Sequence, residues 1–357
     1  MPTLLDGESL VTSELFDAAS GRVGRAGELP NPDISLRLDP VLDAALAGFA
    51  ANLPASRIVS DLAAALHVLR RTSSPQDWKA MAIACRAHPV GDLLRQDPFT
   101  GRSAGKPRGY SGDAELLDIF YKHPSADEVV NNASTIGRAI YEHTSEVPSS
   151  EAGRERCRLL AANVDEACQR VGSNAQILAV AAGHLREAEI CASLDKKRIL
   201  RWVALDQDPL SIATIRTNHA GTPIEAVEGS VLGLLRRSYD LGTFDHVYAS
   251  GLYDYLTAKT GAKLLGRLCE MVAPGGTLLF ANYSDEIVSD GYMESFMDWP
   301  LILRSEADMR FIVEATPETE EFSAEYFYGA NRNIVYAKLT RDLPISTASS
   351  EHAICYI

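Results

Sequence analysis

Five short apolar runs in the second half of the chain constrain its fold more than any other feature: QILAVAA at 176–182, RWVALD at 201–206, IEAVEGS at 224–230, FDHVYAS at 244–250 and GTLLFANY at 276–283. Each is rich in Val, Ile, Leu or Phe and has the length of a buried strand. The stretches 185–194, 209–218 and 259–272 between most of them read as helices. Strands that alternate with helices form a parallel sheet covered on both faces. Pro274, Gly275 and Gly276 predict a tight turn leading into the fifth strand. EYFYGANRNIVYAKLT at 325–340 supplies two more strands about a turn at 331–333, the antiparallel end of the same sheet.

The first half has a different period. Leu42, Leu46, Phe49 and Leu53, then Ile58, Leu62, Leu66 and Leu69, recur at three- and four-residue steps and predict two amphipathic helices. Ser74 followed by Pro75 is an N-cap with proline at the first helical position, and starts a third. A glycine-rich loop, GKPRGYSGDAE, precedes a short helix from about Asp113, and residues 127–147 and 151–171 read as two further helices. Residues 1 to about 40 read as an irregular arm. The expected division is a helical lid or substrate domain at 1–150, a sheet domain at 151–342 and a loose tail at 343–357.

A formal charge of −14 over 357 residues opposes nonspecific binding to nucleic acid or anionic membranes. No apolar run has the length to span a bilayer, and the acidic stretch MPTLLDGESLVTSELFD lacks a secretory pattern, so a cytoplasmic location without stable membrane insertion is expected. The cysteines Cys85, Cys157, Cys168, Cys191, Cys269 and Cys355 show no pairing or zinc-like spacing and are expected to be reduced packing residues; no metal site is expected. Homodimerisation is left open.

In a doubly wound sheet, ligands bind beyond the carboxyl ends of the strands where the strand order reverses. The residues just after each strand are therefore the candidates: Ala181, Ala182, Gly183 and His184 after the first, Asp206 at the second, Gly229 and Ser230 at the third and Ser250 at the fourth. Asp206 lies 23 residues beyond Gly183, the place of an acid that accepts ribose hydroxyls. A dinucleotide turn uses three glycines so that backbone N–H groups can approach a pyrophosphate, whereas this turn reads AAGHLR. NAD is disfavoured. A nucleoside cofactor without phosphates asks less of the turn, and S-adenosylmethionine fits that description.

ILAVAAGHLREAEI, ALDQDPLSI, FDHVYASGLYDYL and VAPGGTLLFANY resemble the successive motifs of class I S-adenosylmethionine-dependent methyltransferases. RGYSGDAELLD, AAGHLREAE and GYMESFMDWPLILR further resemble a bacterial subgroup with a helical N-terminal domain, commonly assigned to 3-hydroxypalmitate methyl ester synthesis and similar to azetidine-2-carboxylate synthases. The resemblance implies an α/β fold: a doubly wound, mostly parallel Rossmann-like methyltransferase sheet with an all-helical N-terminal domain. It implies that Gly183 admits the methionine part, Asp206 holds the ribose, Gln207 lies against the adenine, Ser230 bonds its edge, and residues 250–255 lie beneath the sulfonium.

Methyl transfer from a sulfonium releases a neutral thioether, so positioning, desolvation and any deprotonation of the nucleophile are what a protein supplies. Tyr253, Asp254 and Tyr255 are the candidates at the fourth strand, with Asp254 open to a helix-capping role and the tyrosines open to cation–π contact. On the glycine-rich loop, Arg108 is a candidate for a cofactor or substrate carboxylate and Tyr110 for the reacting centre; Asn131, Asn132 and Arg138 are weaker candidates. Met293, Phe296, Met297 and Trp299 form an apolar group open to core or pocket roles. The expected activity is methylation of a small-molecule or lipid-like acceptor at a carboxyl or hydroxyl oxygen. Alternatives are ring closure of the cofactor to azetidine-2-carboxylate, as in secondary metabolism, and non-catalytic cofactor binding.

Overall fold

A computed structural model describes residues 32–343. The N-terminal arm up to residue 31, the tail from residue 344 and Cys355 lie outside the described residues. The seven strands are β1 (Ala175–Val180), β2 (Ile199–Asp206), β3 (Ile224–Glu228), β4 (Phe244–Ala249), β5 (Val272–Tyr283), β6 (Phe322–Tyr328) and β7 (Ile334–Arg341). They form one sheet in the order β3-β2-β1-β4-β5-β7-β6. β1 to β5 are mutually parallel where they pair, and β7 runs antiparallel to both β5 and β6. The order reverses between β1 and β4, which opens a crevice at their carboxyl ends.

Side-chain alternation along the strands divides the core in two. Leu178, Val180, Val203, Leu205, Val247, Phe280 and Leu339 pack on one face with helix Ala258–Cys269 and helix Glu306–Glu314. Ile177, Ala179, Trp202, Tyr248, Leu279 and Tyr336 face the other way, into a core shared with the N-terminal helices. The helical half therefore covers one sheet face and reaches over the strand ends as a cap.

The cap helices follow the predicted periodicity, with Ile58, Val59, Leu62, Leu66 and Leu69 buried along Ala55–Thr72, and Ser74 accepting the Asp77 N–H at the start of Pro75–Ala87. Four expectations are corrected. The first helix begins at Pro32 and carries Pro40 inside it, because Ile34, Leu38, Leu42 and Ala45 continue the buried stripe and their packing offsets the lost backbone bond. The segment 127–147 is broken into Asp127–Asn131 and Thr135–Thr144, the second capped by Ser134. The expected helix at 185–194 is a 3-10 turn, Arg186–Ile190, and a single α-turn, Ala192–Asp195, because Leu185 is left-handed (φ 54°). Finally, Gly275 (φ 74°) lies within β5, so the Pro-Gly-Gly sequence makes a register shift rather than the start of the strand. Among the described residues no helix is long and apolar enough to cross a membrane, and the five described cysteines are buried free thiols.

Candidate functional site

The strand ends and the cap enclose a cleft with about 1220 Å³ of empty space, counting its open mouth. A cleft of that size has room for a cofactor-sized ligand. From the sheet, its walls include Ala181, Ala182, Gly183, His184, Asp206, Gln207, Gly229, Ser250 and Asp254; from the cap they include Tyr110, Gly112, Asp118, Phe120, Tyr121 and Arg156.

The turn after β1 is left-handed at Ala181 (φ 54°), Gly183 (φ 57°) and Leu185 (φ 54°). Gly183 suits that conformation at no steric cost. Its N–H donates to Asp206 Oδ2 (2.7 Å), and the Asp208 N–H donates to Asp206 Oδ1 (2.8 Å). Two backbone donors thus orient the Asp206 carboxylate at the tip of β2, and each oxygen retains a lone pair for a ligand hydroxyl. Burial is the main reason the Asp206 carboxyl is pushed up to about 6. Helix Pro209–Asn218 is capped by Asp208, which accepts the Leu210 N–H, so Asp206 is not its cap.

A pyrophosphate finds no cradle in this turn. The Ala182 N–H donates to the Leu205 carbonyl, the Leu185 N–H to the Ala182 carbonyl and the Gly183 N–H to Asp206, and the short 3-10 turn that follows offers no long helix N-terminus. The donor set fits a nucleoside held through its ribose.

The cap closes over these residues through ion pairs. Arg108 Nη1 bonds Asp208 and Ser211 Oγ (3.1 Å), while Nη2 bonds Glu115 (2.7 Å). Arg108, expected to pair with a ligand carboxylate, therefore stands outside the cleft lining and spends its guanidinium on the protein's own carboxylates. His184 lines the cleft and shares Asp118 with Arg186 (2.8 and 2.7 Å). Burial alone would raise the Asp118 carboxyl, but the hydrogen bonds from Arg186 and His184 outweigh it and hold the group well below the carboxylate range. Tyr110 lines the cleft beside this clamp, and burial followed by the nearby Asp206 and Asp208 charges raises its phenol above its ordinary value.

Around the β4 end, Tyr255, Asp254 and Ser250 line the cleft but Tyr253 does not. Tyr253 is fully buried in the opposite core, tilted against Phe280 at 4.4 Å and close to Gly261, so it has no access to the reacting centre. Asp254 caps no helix: Thr257 caps the one that follows, while Asp254 Oδ1 accepts the Tyr283 N–H (2.7 Å). Burial pushes its carboxyl up to about 7. Tyr255 OH accepts the Trp299 indole N–H (2.7 Å). Gly112 allows this closure, since a Cβ there would lie 2.5 Å from Tyr255 OH and its φ is 78°. Ser230 stands outside the lining between Gly229 and Val231, and its hydroxyl accepts the Gly233 N–H (3.1 Å) as the cap of Val231–Leu235. Asn131, Asn132 and Arg138 are exposed and away from the cleft.

A second cavity of about 490 Å³ adjoins the first, sharing Phe120, Tyr283 and Trp299 as common wall. Val59, Ala63, Phe99, Met293 and Met297 make it almost wholly apolar. Of the apolar group read in the sequence, Met293, Met297 and Trp299 line this cavity, whereas Phe296 is fully buried and absent from its walls.

No family model matches the sequence, and no curated protein matches it. Among solved structures, a "possible exported protein" from Bordetella parapertussis is similar over 88% of this chain and 100% of its own, with 16% identity and a TM-score of 0.53. Two lower-scoring similarities are to the N-methyltransferase NodS from Bradyrhizobium japonicum in complex with S-adenosyl-L-homocysteine (16% identity, 63% of this chain and 99% of that one, TM-score 0.38) and to the amino pentose methyltransferase CalS10 from Micromonospora echinaspora (17%, 54% and 95%, 0.38). The similarity to the Bordetella parapertussis structure, together with a strand order that places an antiparallel β7 between β5 and β6, identifies the architecture. The chain has a doubly wound, Rossmann-like α/β fold.

Within that fold, the sequence reading passed over Arg156, Glu187, Tyr121 and Tyr283, all of which line the cleft. Arg156 left a signal. It falls in the buried row Ala152, Arg156, Leu160, Val164 at four-residue steps, a charge in an apolar stripe. Glu187 left none, because the segment reads as an exposed helix until Leu185 is seen to turn it inward.

Proposed function

We propose that the chain is an S-adenosylmethionine-dependent methyltransferase acting on a small or fatty-acyl-type acceptor at a carboxyl or hydroxyl oxygen. One observation carries the cofactor reading: a carboxylate at the tip of β2, Asp206, lines the cleft and is fixed by backbone N–H groups that a phosphate would otherwise need. When bound, the cofactor supplies its methyl group as a sulfonium. The chain's own part is to orient and to exclude water. Asp206 grips the sugar, Tyr110 and the Arg108 clamp cover it, and Tyr255 with Trp299 closes the aromatic wall beside Ser250.

For a hydroxyl acceptor, Asp254 is the group that takes the proton, since its carboxyl lies near neutrality and lines the cleft. A carboxylate acceptor needs no base. The apolar second cavity supports an acceptor with a greasy body, seated beyond Phe120 and Trp299.

The test is product analysis of the purified chain with S-adenosylmethionine, with and without a panel of hydroxy and carboxylic acids of increasing chain length. S-adenosylhomocysteine that appears only with an acceptor is the expected result. Methylthioadenosine plus a new amino acid in the absence of acceptor would replace transfer by ring closure, and binding without turnover would reduce the chain to a cofactor-binding module.

A further inference from the structure

The second cavity has two ends of different character. At its inner end it shares the buried rings of Phe120, Tyr283 and Trp299 with the strand-end cleft. Gly153 gives the Phe120 ring its place there, since a Cβ would collide with the ring edge. At its outer end the lining residues Ala63, His143 and Val147 are partly exposed. They come from helix Ala55–Thr72, helix Thr135–Thr144 and the N-cap of helix Pro148–Val171. That rim lies wholly in the cap, and none of its three residues lines the cleft.

Between the two ends the walls offer neither charge nor an idle hydroxyl. Among the described residues no Asp, Glu, Lys or Arg lines the cavity. Thr144 Oγ1 donates to Asp97 (2.9 Å), Ser150 Oγ to the Thr144 carbonyl (2.8 Å), Tyr283 OH to the Ser149 carbonyl (3.2 Å) and Ser289 Oγ to Ser149 Oγ (2.9 Å). A ring nitrogen of His143 bonds Ser60 Oγ (3.1 Å), and burial lowers the pKa of this histidine, which is therefore neutral at neutral pH. Walls of this kind, with Met293 and Met297 among them, take up hydrocarbon and penalise a charged or strongly hydrated group. The polar reacting end of an acceptor belongs on the cleft side of the three rings, and its apolar body on the other.

We propose that the second cavity is an open-ended tunnel for the apolar tail of the acceptor, with any excess tail leaving the protein between Ala63, His143 and Val147. The inference rests on the methyltransferase reading and deepens it: the acceptor is an amphiphile with its reacting oxygen at one terminus, and chain length beyond the tunnel is not selected against. Ala63 and Val147, small side chains at the exit, set that tolerance. The tail also occupies a different space from the nucleoside, so the two bind without competing.

The experiment is calorimetric titration of the full chain with hexanoic, decanoic and tetradecanoic acids, each with and without saturating S-adenosylhomocysteine. Affinity is expected to rise at least about tenfold from hexanoic to decanoic acid, as methylenes leave water, and then to hold for tetradecanoic acid. Ala63→Trp and Val147→Trp, made separately, plug the exit; each should weaken tetradecanoic acid by about tenfold or more and leave hexanoic acid within about threefold. Unchanged S-adenosylhomocysteine binding shows that each variant is folded. Tetradecanoic acid binding the wild type far more weakly than decanoic acid would mean a closed pocket and overturn the tunnel. Exit variants that weaken all three acids alike or none of them, or acids that displace S-adenosylhomocysteine, overturn it as well, and each of these leaves the cofactor reading intact. A wild type that ignores S-adenosylhomocysteine yet shows the chain-length pattern and its loss on plugging keeps the tunnel and overturns the cofactor reading instead.

Discussion

At one end of the cleft, Gly183, Asp206 and Gly229 are each within a few residues of a strand end, and backbone hydrogen bonds hold the group in place. At the other, Phe120, Arg156, Tyr255, Tyr283 and Trp299 come from five separate segments and meet only through tertiary packing. The first end is rigid and generic, and suits a cofactor shared by many reactions. The second depends on the cap, and under the proposed function it is the end that chooses the acceptor. Substitutions at the two ends should therefore fail in different ways.

The largest effect is expected at the assembled end. Phe120 is 1% exposed, lies edge-on to Phe99 at 5.6 Å and touches the ring-facing surface of Gly153. Phe120→Ala should cost roughly 3–5 kcal/mol of stability in chemical denaturation and merge the two cavities, shifting acceptor preference toward bulkier compounds. Asp206→Ala at the other end should weaken nucleoside binding by about 1.5–3 kcal/mol in calorimetry without changing which acceptors are preferred. Loss of acceptor discrimination in that variant would break the contrast.

A pH series sharpens it. The folded Asp206 carboxyl, pushed up to about 6, must be ionised to accept two ribose hydroxyls, so nucleoside affinity should be flat above that pH and fall by up to about tenfold per unit below it. Asp206→Asn should abolish the slope; a slope that survives the substitution assigns it to another group. The smallest effect belongs to Ser230, whose hydroxyl caps a helix: Ser230→Ala should cost about 1 kcal/mol of stability and leave nucleoside affinity unchanged. A tenfold loss of affinity would return it to the adenine edge.

The two ends also differed in how far the sequence disclosed them. The strand ends were legible because a doubly wound sheet fixes where its ligands lie, so Gly183 and Asp206 followed from strand positions alone, while Gln207 came from the family resemblance. Ser230 misled at the same level: a serine after a strand can face a ligand or start a helix, and here the following Val231–Leu235 claims its hydroxyl. Tyr253 and Tyr255 show a different limit. They sit on a 3-10 turn with three residues per turn, so neighbours two apart diverge, and only the observed turn tells which of them faces the cleft. Arg108 was read as a cation for a cofactor or substrate carboxylate, yet its carboxylate partners, Asp208 and Glu115, belong to the chain itself. Glu187 required the left-handed Leu185, a backbone event that a leucine does not announce.

The central claim is that the strand-end crevice holds a nucleoside through its sugar and has no place for a pyrophosphate. Calorimetry of the wild-type chain with S-adenosylhomocysteine and with NAD, in one buffer at neutral pH, tests it most directly. The account predicts saturable binding of S-adenosylhomocysteine that Asp206→Ala weakens, and no binding of NAD. Uptake of NAD with no response to S-adenosylhomocysteine would contradict it.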